Sequence, residues 1–132
     1  MFKTLIISAV VVFVFAAAAT QISAQNWKNL GTKEVTDQEE SDTFHIGSTK
    51  GQFRALKFFV SRHAIRFYRI EVTYRNGETT PLEVKAVIKA GRESRVMDLP
   101  GKDRYITSVK FWYEAASVGK GQRSMITLYG LK

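Results

Sequence analysis

Basic side chains interleaved with aromatic ones are the residues of this sequence best suited to binding. Guanidinium and ammonium groups hold an anionic ligand by charge, and aromatic rings stack on sugar rings or cations. These residues fall on two consecutive runs that read as strands: Arg54, Lys57, Arg62, Arg66, Arg69 and Arg75, with Phe53, Phe59 and Phe67. If the two strands are neighbours, the side chains form one face for a polyanion, such as an acidic polysaccharide or a lipid head group. The alternative is that the charges only solvate the outer side of a sheet, while the aromatics fill a second contact.

Trp112 is a further candidate for ligand contact. With Tyr105 or Tyr113 it would form a stacking platform, although a strand tryptophan in a small sandwich more often belongs to the core. The candidate binding face therefore comprises Arg54, Lys57, Arg62, Arg66, Arg69, Arg75, Phe67 and Trp112.

Residue types that catalysis or metal binding requires are scarce. The sequence has 2 histidines and no cysteine, which excludes thiol catalysis and thiolate metal sites. No Gly-x-Ser-x-Gly turn offers a serine nucleophile. His63 lies between Arg62 and Arg66, a poor place for a metal cation. We therefore predict no catalytic residue, no cofactor and no metal site.

Carboxylates in this sequence also favour structural roles. One acidic cluster could bind calcium, but it lacks the regular spacing of a calcium loop and reads better as a solvated loop; it comprises Asp37, Glu39, Glu40 and Asp42. A carboxylate pair for sugar hydrolysis must face across a cleft. Asp98 and Asp103 instead flank a turn rich in basic residues, so we expect an ion pair such as Asp98 with Arg104.

The first 24 residues are typical of a secretory signal peptide. Lys3 precedes the apolar run Leu5–Ala19, and small residues follow as far as Ala24. We expect cleavage after Ala24, or alternatively near Ala18 or Ala19. At 15 residues, the run is shorter than the roughly 20 that span a bilayer, which argues against a retained transmembrane anchor.

The mature chain, residues 25–132, is expected to form one domain. Loss of Lys3 leaves 19 of the 20 basic residues against 12 acidic ones, a net charge of +7. In an exported protein this charge favours envelope polyanions as partners, and it is the export that argues against nucleic acid. Since cysteines and Asn-x-Ser/Thr sequences are absent, we predict a bacterial periplasmic or secreted location.

Alternating apolar residues predict antiparallel strands along the mature chain. The clearest alternations are Tyr68, Ile70, Val72 and Tyr74; Leu56, Phe58 and Val60; and Ile126 and Leu128. Asn76-Gly77 is typical of a two-residue type I′ hairpin turn, with Leu82 and Val84 on the inner side of the return strand. About eight short strands result, and no segment has a helical period. This pattern predicts a single antiparallel β-sandwich.

Four residues carry local predictions. Gly31 is expected at a kink or bulge in the first strand. Ile106 and Val109 can both be buried only if a bulge lies between them. Val96 is expected in the core.

The succession of strands and turns resembles a family of small exported bacterial β-sandwich proteins of unknown function. The resemblance rests on Leu30-Gly31, the Phe53–Val60 and Ile65–Tyr74 strands, Asn76-Gly77, Ala90-Gly91 before Arg95–Leu99, Arg104-Tyr105-Ile106, Ser108–Tyr113 and the closing Tyr129-Gly130. It implies the fold class and an exported location, and it assigns no catalytic residues.

We expect a non-enzymatic exported module that binds an anionic envelope glycan, lipid or protein partner. One alternative is a structural or assembly protein that pairs with another chain through an edge strand. A weak carbohydrate-active hydrolase is the third. The ligand, the strand order and the oligomeric state stay open.

Overall fold

The computed structural model describes residues 26–36, 38, 40–47, 50–101, 103–115 and 121–132. The expected signal peptide, Asp37 and Glu39 of the acidic cluster and most of the loop before Gly121 lie outside these ranges. The described residues contain no α-helix. Nothing in this part of the chain is a helix long and apolar enough to cross a bilayer.

Eleven strands form in the described residues. Their bounds are β1 Trp27–Val35, β2 Glu40–His45, β3 Gln52–Phe53, β4 Ala55–Ser61, β5 Ile65–Tyr74, β6 Thr79–Leu82, β7 Ala86–Ile88, β8 Arg92–Glu93, β9 Met97–Asp98, β10 Arg104–Ala115 and β11 Ser124–Leu131. The number exceeds the expected eight because β3, β8 and β9 are two residues long, too short to show alternation.

Two antiparallel sheets pack face to face, which confirms the predicted sandwich. Sheet A has the order β1-β11-β4-β8, and β9 also pairs with β4. Sheet B has the order β2-β10-β5-β6, while β3 pairs with β10 and β7 with β5. Consecutive strands therefore often lie in different sheets.

An aromatic cluster joins the two sheets. Phe58 of sheet A stacks on Phe67 of sheet B with 4.9 Å between ring centroids. It also lies 5.9 Å from Phe111 and 6.3 Å from Phe44. All four rings are at most 3% exposed. Because rings in such contact add to the free energy gained by burial, the cluster fixes how the sheets face each other.

Three β-bulges interrupt the alternation of side chains. The register shifts show one extra residue in each bulged strand: Leu30 in β1, Tyr68 in β5 and Thr107 in β10. The predicted bulges near Gly31 and between Ile106 and Val109 are confirmed.

The hairpin between β5 and β6 does not have the predicted type I′ turn. Gly77 is left-handed at φ 91°, but Asn76 is not, so a two-residue turn with two positive φ values is absent here. Gly77 N–H donates to Tyr74 O, and Tyr74 N–H donates to Glu78 O, both at 2.9 Å. These bonds define a three-residue loop with a glycine bulge, the other common hairpin connection.

Val96 was expected in the core and is 47% exposed. Its neighbours Met97 and Leu99 are buried instead. The two-residue strand β9 places Met97 opposite the buried Leu56 of β4. Met97 therefore faces the core, and its neighbour Val96 faces the solvent.

Candidate functional site

The predicted basic face does not form as one surface. Arg54 and Lys57 lie in or beside the β4 region of sheet A, whereas Arg66 and Arg69 lie on β5 of sheet B. The chain passes between the sheets at Arg62, whose φ of 77° is the only left-handed non-glycine value in the described residues. β4 and β5 follow each other in sequence but are therefore not neighbours within one sheet, so their outward side chains lie on opposite sides of the sandwich.

Three of the six predicted cations are held by neighbours other than Trp112. These contacts place each cation in its own local environment and separate it from the others. The pairs are Lys57 with Glu93 at 3.1 Å, Arg62 with Glu34 at 3.0 Å, and Arg75 over the Tyr105 ring at 3.8 Å.

Arg104 does not pair with Asp98 as expected. Its guanidinium lies 3.8 Å from the Tyr74 ring centroid and 3.0 Å from the Glu78 carboxylate. A hydrogen bond from Asn76 is the main cause that lowers the pKa of Glu78, and Arg104 adds to it. This contact closes the end of the β5–β6 hairpin.

Trp112 lies on the outer face of sheet B, so it is not a core residue. Arg69 is its direct neighbour on β5. The Arg69 guanidinium carbon lies 5.0 Å and the Lys110 ammonium 4.9 Å from the centre of the Trp112 ring. The surface formed by Arg66, Tyr68, Arg69, Lys110, Trp112 and Glu114 is called the Trp112 platform below.

The bulge at Tyr68 shapes this platform. Because Tyr68 is the extra residue, both it and Arg69 reach the outer side, and the Tyr68 hydroxyl donates to Glu114 Oε1 at 3.1 Å. Tyr68 lines two open grooves. One, of about 540 Å³, is lined by Glu40, Ser41, Tyr68, Arg69 and Trp112; the other, of about 370 Å³, by Arg66, Phe67, Tyr68, Lys85, Ala86 and Val87.

Two of the three platform cations form no ion pair with a described carboxylate. The Arg69 guanidinium pairs with Glu71 at 3.2 Å. Within the part of the chain that the structure describes, neither Arg66 nor Lys110 forms an ion pair. Both cations are therefore available to an anionic ligand.

Tyr113 supports one rim of the larger groove from inside the sandwich. Burial raises the pKa of its phenol to about 12, and the carboxylates of Glu40 and Asp42 add to the shift. The neutral hydroxyl donates to Glu40 Oε2 at 3.2 Å. This bond holds the Glu40 side chain, which lines the groove.

No site for a metal ion is visible in the described residues. Groups of three or more histidine or carboxylate side chains that could hold a cation are absent from them. The outward-facing chemistry of the platform consists of an indole, a phenol, an amine, guanidinium groups and the Glu114 carboxylate, which suits binding.

The family model for a domain of unknown function, DUF2541, matches residues 5–130. This chain belongs to the DUF2541 family. The match agrees with the resemblance drawn from the strand pattern. No curated protein matches this DUF2541 chain in sequence.

Several solved structures are distantly similar to this DUF2541 protein. AlgX of Pseudomonas aeruginosa is 18% identical at a TM-score of 0.47, over 80% of this chain and 27% of AlgX. The SPBc2 prophage-derived protein YomS is 13% identical at 0.42, over 83% and 94%. A mutant of a family 29 carbohydrate binding module is 12% identical at 0.34, over 81% and 92%. The chain spans about a quarter of AlgX, and none of these likenesses carries a function to it.

Phe67 was predicted to contact a ligand, and this prediction is wrong. In this DUF2541 fold its side chain is in the core and is 0% exposed. Tyr68 and Lys110 are platform residues that the candidate set lacked. The sequence contained a signal for Tyr68. Phe67 and Ile70 are three positions apart, as Ile106 and Val109 are, so both can be buried only if a bulge lies between them. Such a bulge places Tyr68 on the outer side.

Proposed function

We propose that this DUF2541 protein is a non-enzymatic envelope module that holds an anionic polysaccharide on the Trp112 platform. The observation that carries the proposal is the half-exposed Trp112 ring with Arg69 and Lys110 both about 5 Å from its centre. An indole offers a sugar ring a flat apolar surface, and the adjacent cations offer its carboxylate a charged partner.

The distribution of charge supports an acidic ligand over a neutral one. Arg66 and Lys110 have no carboxylate partner among the described residues, while the nearby Arg69 keeps only Glu71. An unpaired cation on a surface gains from an anion without first losing an internal ion pair. A neutral sugar would gain stacking alone.

The two grooves beside Tyr68 support an extended ligand. A groove of about 540 Å³ lies on the Trp112 side and one of about 370 Å³ on the Arg66 side. A polysaccharide chain that crosses Tyr68 would contact both. A small anion would use only one, and its affinity would not grow with chain length.

Binding to polygalacturonate and to the neutral polysaccharide dextran tests the proposal. Purified domain lacking residues 1–24 should be retarded in gels containing polygalacturonate and not in gels containing dextran. Retardation should fall steeply between 0.05 and 0.5 M salt, because the Debye length shortens from roughly 10 Å near 0.1 M to about 3 Å at 1 M. Equal retardation by both polymers would contradict a charged ligand.

Matched variants locate the site. The double variant Arg66→Ser with Lys110→Ser should weaken polygalacturonate binding strongly. The control, Lys28→Ser with Arg54→Ser, removes the same charge from exposed positions elsewhere and should change it little. Trp112→Ala should weaken binding while the thermal midpoint stays near that of the wild type. Equal losses in the platform and control variants would show that only net charge matters.

Assembly through an edge strand is the alternative proposal, and the edges carry features that hinder it. The bulge at Leu30 distorts β1, and Asn29 Oδ1 accepts the Gly31 N–H at 2.8 Å. Pro81 interrupts the donors of β6, and Asp42 Oδ1 accepts the Thr43 N–H in β2. Bulges, prolines and side chains that occupy edge donors all hinder the addition of a strand.

A further inference from the structure

Two large apolar side chains stand out on the surface of the described residues. Val87 is 48% and Val96 is 47% exposed, and no other large apolar residue of the described part is comparably exposed. Both belong to residues 83–96, which link β6 to β9 and are called the 83–96 segment below. Single exposed apolar residues are ordinary, so these two bear on binding only together with the charged groups around them.

Exposed cations surround these valines. Four of them lie in the 83–96 segment: Lys85, Lys89, Arg92 and Arg95. The segment has two carboxylates, and one of these, Glu93, already pairs with Lys57 at 3.1 Å. An open groove of about 570 Å³ runs along the segment, lined by residues 83–89 and 92–95. The segment is thus both basic and apolar at its surface.

The segment that carries the two exposed valines is hydrogen-bonded to β4 of sheet A. Gly91 N–H donates to Val60 O at 2.7 Å, and Ser94 N–H donates to Phe58 O at 2.8 Å. The Ser94 hydroxyl also accepts the Phe58 N–H at 2.8 Å. On the inner side, Val84 and Ile88 are about 5% exposed and belong to the core cluster. The segment is therefore fixed to both sheets, and its outward valines are held at the surface.

We propose that the 83–96 segment docks the domain on the surface of an anionic lipid bilayer. Basic side chains are drawn to anionic head groups, and apolar side chains beside them enter the interfacial region. A soluble polyanion would use the cations but offers no apolar layer for Val87 and Val96 to enter. The combination fits a surface that presents negative charge above an apolar layer.

Vesicle co-sedimentation tests this proposal. The domain lacking residues 1–24 is mixed with vesicles of phosphatidylcholine and phosphatidylglycerol in a 3:1 ratio, or of phosphatidylcholine alone. We expect binding to the charged vesicles, and loss of binding at high salt. No binding to the charged vesicles, or equal binding to both kinds, would overturn the proposal.

Variants separate the apolar from the charged contribution. Lys89→Ser with Arg92→Ser should weaken binding roughly 30-fold, at about fivefold per cation. Val87→Ser with Val96→Ser keeps the charge and should weaken it roughly tenfold through lost apolar transfer. The control, Lys28→Ser with Arg54→Ser, should lose less than the first variant. If the control loses as much, or if the valine variant binds as the wild type does, the segment is not the docking surface.

Lys85 and Val87 of the segment also line the groove beside Arg66, and Trp112→Ala is the variant that distinguishes the segment from the Trp112 platform. It should leave vesicle binding unchanged while it weakens polygalacturonate binding. Weaker vesicle binding by Trp112→Ala would place the lipid contact on the platform and overturn the assignment to the 83–96 segment.

Discussion

Gly130 in β11 has no room for a methyl group, and this predicts a marked loss of stability in Gly130→Ala. A Cβ at this position would lie 2.6 Å from Phe53 Cδ1 and 2.9 Å from Leu30 Cδ1. Both side chains are buried, at 0% and 4% exposure. The backbone cannot move aside easily, because Gly130 is paired with Lys28 on one side and Leu56 on the other.

The expected cost follows from two opposing effects. Overpacking of a well-filled core costs typically about 1–3 kcal/mol. Replacement of glycine by alanine restricts the unfolded chain and returns about 0.4–1 kcal/mol. A net loss of about 1–2 kcal/mol results, which corresponds to a fall of roughly 5–15 °C in the melting temperature of a domain of this size.

Thermal and urea unfolding, followed by circular dichroism, measure this loss. In a Phe53→Val background the ring carbons are gone, so Gly130→Ala should cost less there, with a coupling above about 0.5 kcal/mol. An unchanged or higher melting temperature for Gly130→Ala in the wild-type background would refute the packing of β11 against Phe53 and Leu30. Equal costs in both backgrounds would show that the ring is not the obstacle.

Titrations and turn substitutions test the surroundings of single side chains. Tyr113 should be the tyrosine that ionises near pH 12 in ultraviolet difference spectra. Because its pKa is raised, its contribution to the free energy of unfolding is present below pH 10 and is lost as the pH rises towards 12. The variant Tyr113→Phe should not show this loss. Asn76→Ala should raise the pKa of Glu78, measured by NMR, and an unshifted pKa in the variant would contradict the contact. The stability that the lowered pKa provides is present above the ordinary carboxyl pKa and disappears as the pH falls through the lowered value. Gly77→Val should cost about 1–2 kcal/mol because φ is 91°, and Gly77→Asn clearly less; equal costs in urea unfolding would contradict a left-handed residue here.

Alternation in the sequence was sufficient to predict the class of fold and most of the core. Leu56, Phe58 and Val60 face inward on β4, and Ile126 and Leu128 do so on β11. A side chain in a strand can reach only one of two faces, so a period of two identifies the buried set without knowledge of the partner strand.

The composition of the binding face could not be predicted in the same way. It depends on which strands are neighbours, and that is decided by contacts between residues far apart in sequence. Lys57 and Arg66 are close in sequence but belong to different sheets, whereas Arg69 and Trp112 are distant in sequence and directly opposed on neighbouring strands. Local patterns contain little information on such pairings, so the predicted face mixed residues from both sides of the sandwich.

The exchange of Phe67 for Tyr68 on the surface keeps one phenol hydroxyl out of the core, although the Tyr74 hydroxyl of the same strand is buried with no hydrogen-bond partner among the described residues. Strict alternation from Ile70 backwards would bury Tyr68 and expose Phe67. A buried phenol must find a hydrogen-bond partner or lose free energy. The bulge instead places Phe67 against Phe58 at 4.9 Å in the core and lets the Tyr68 hydroxyl donate to Glu114 outside. The same bulge thereby places on the surface the side chain that lines both grooves. The packing of β5 and the shape of the proposed binding surface therefore have one origin.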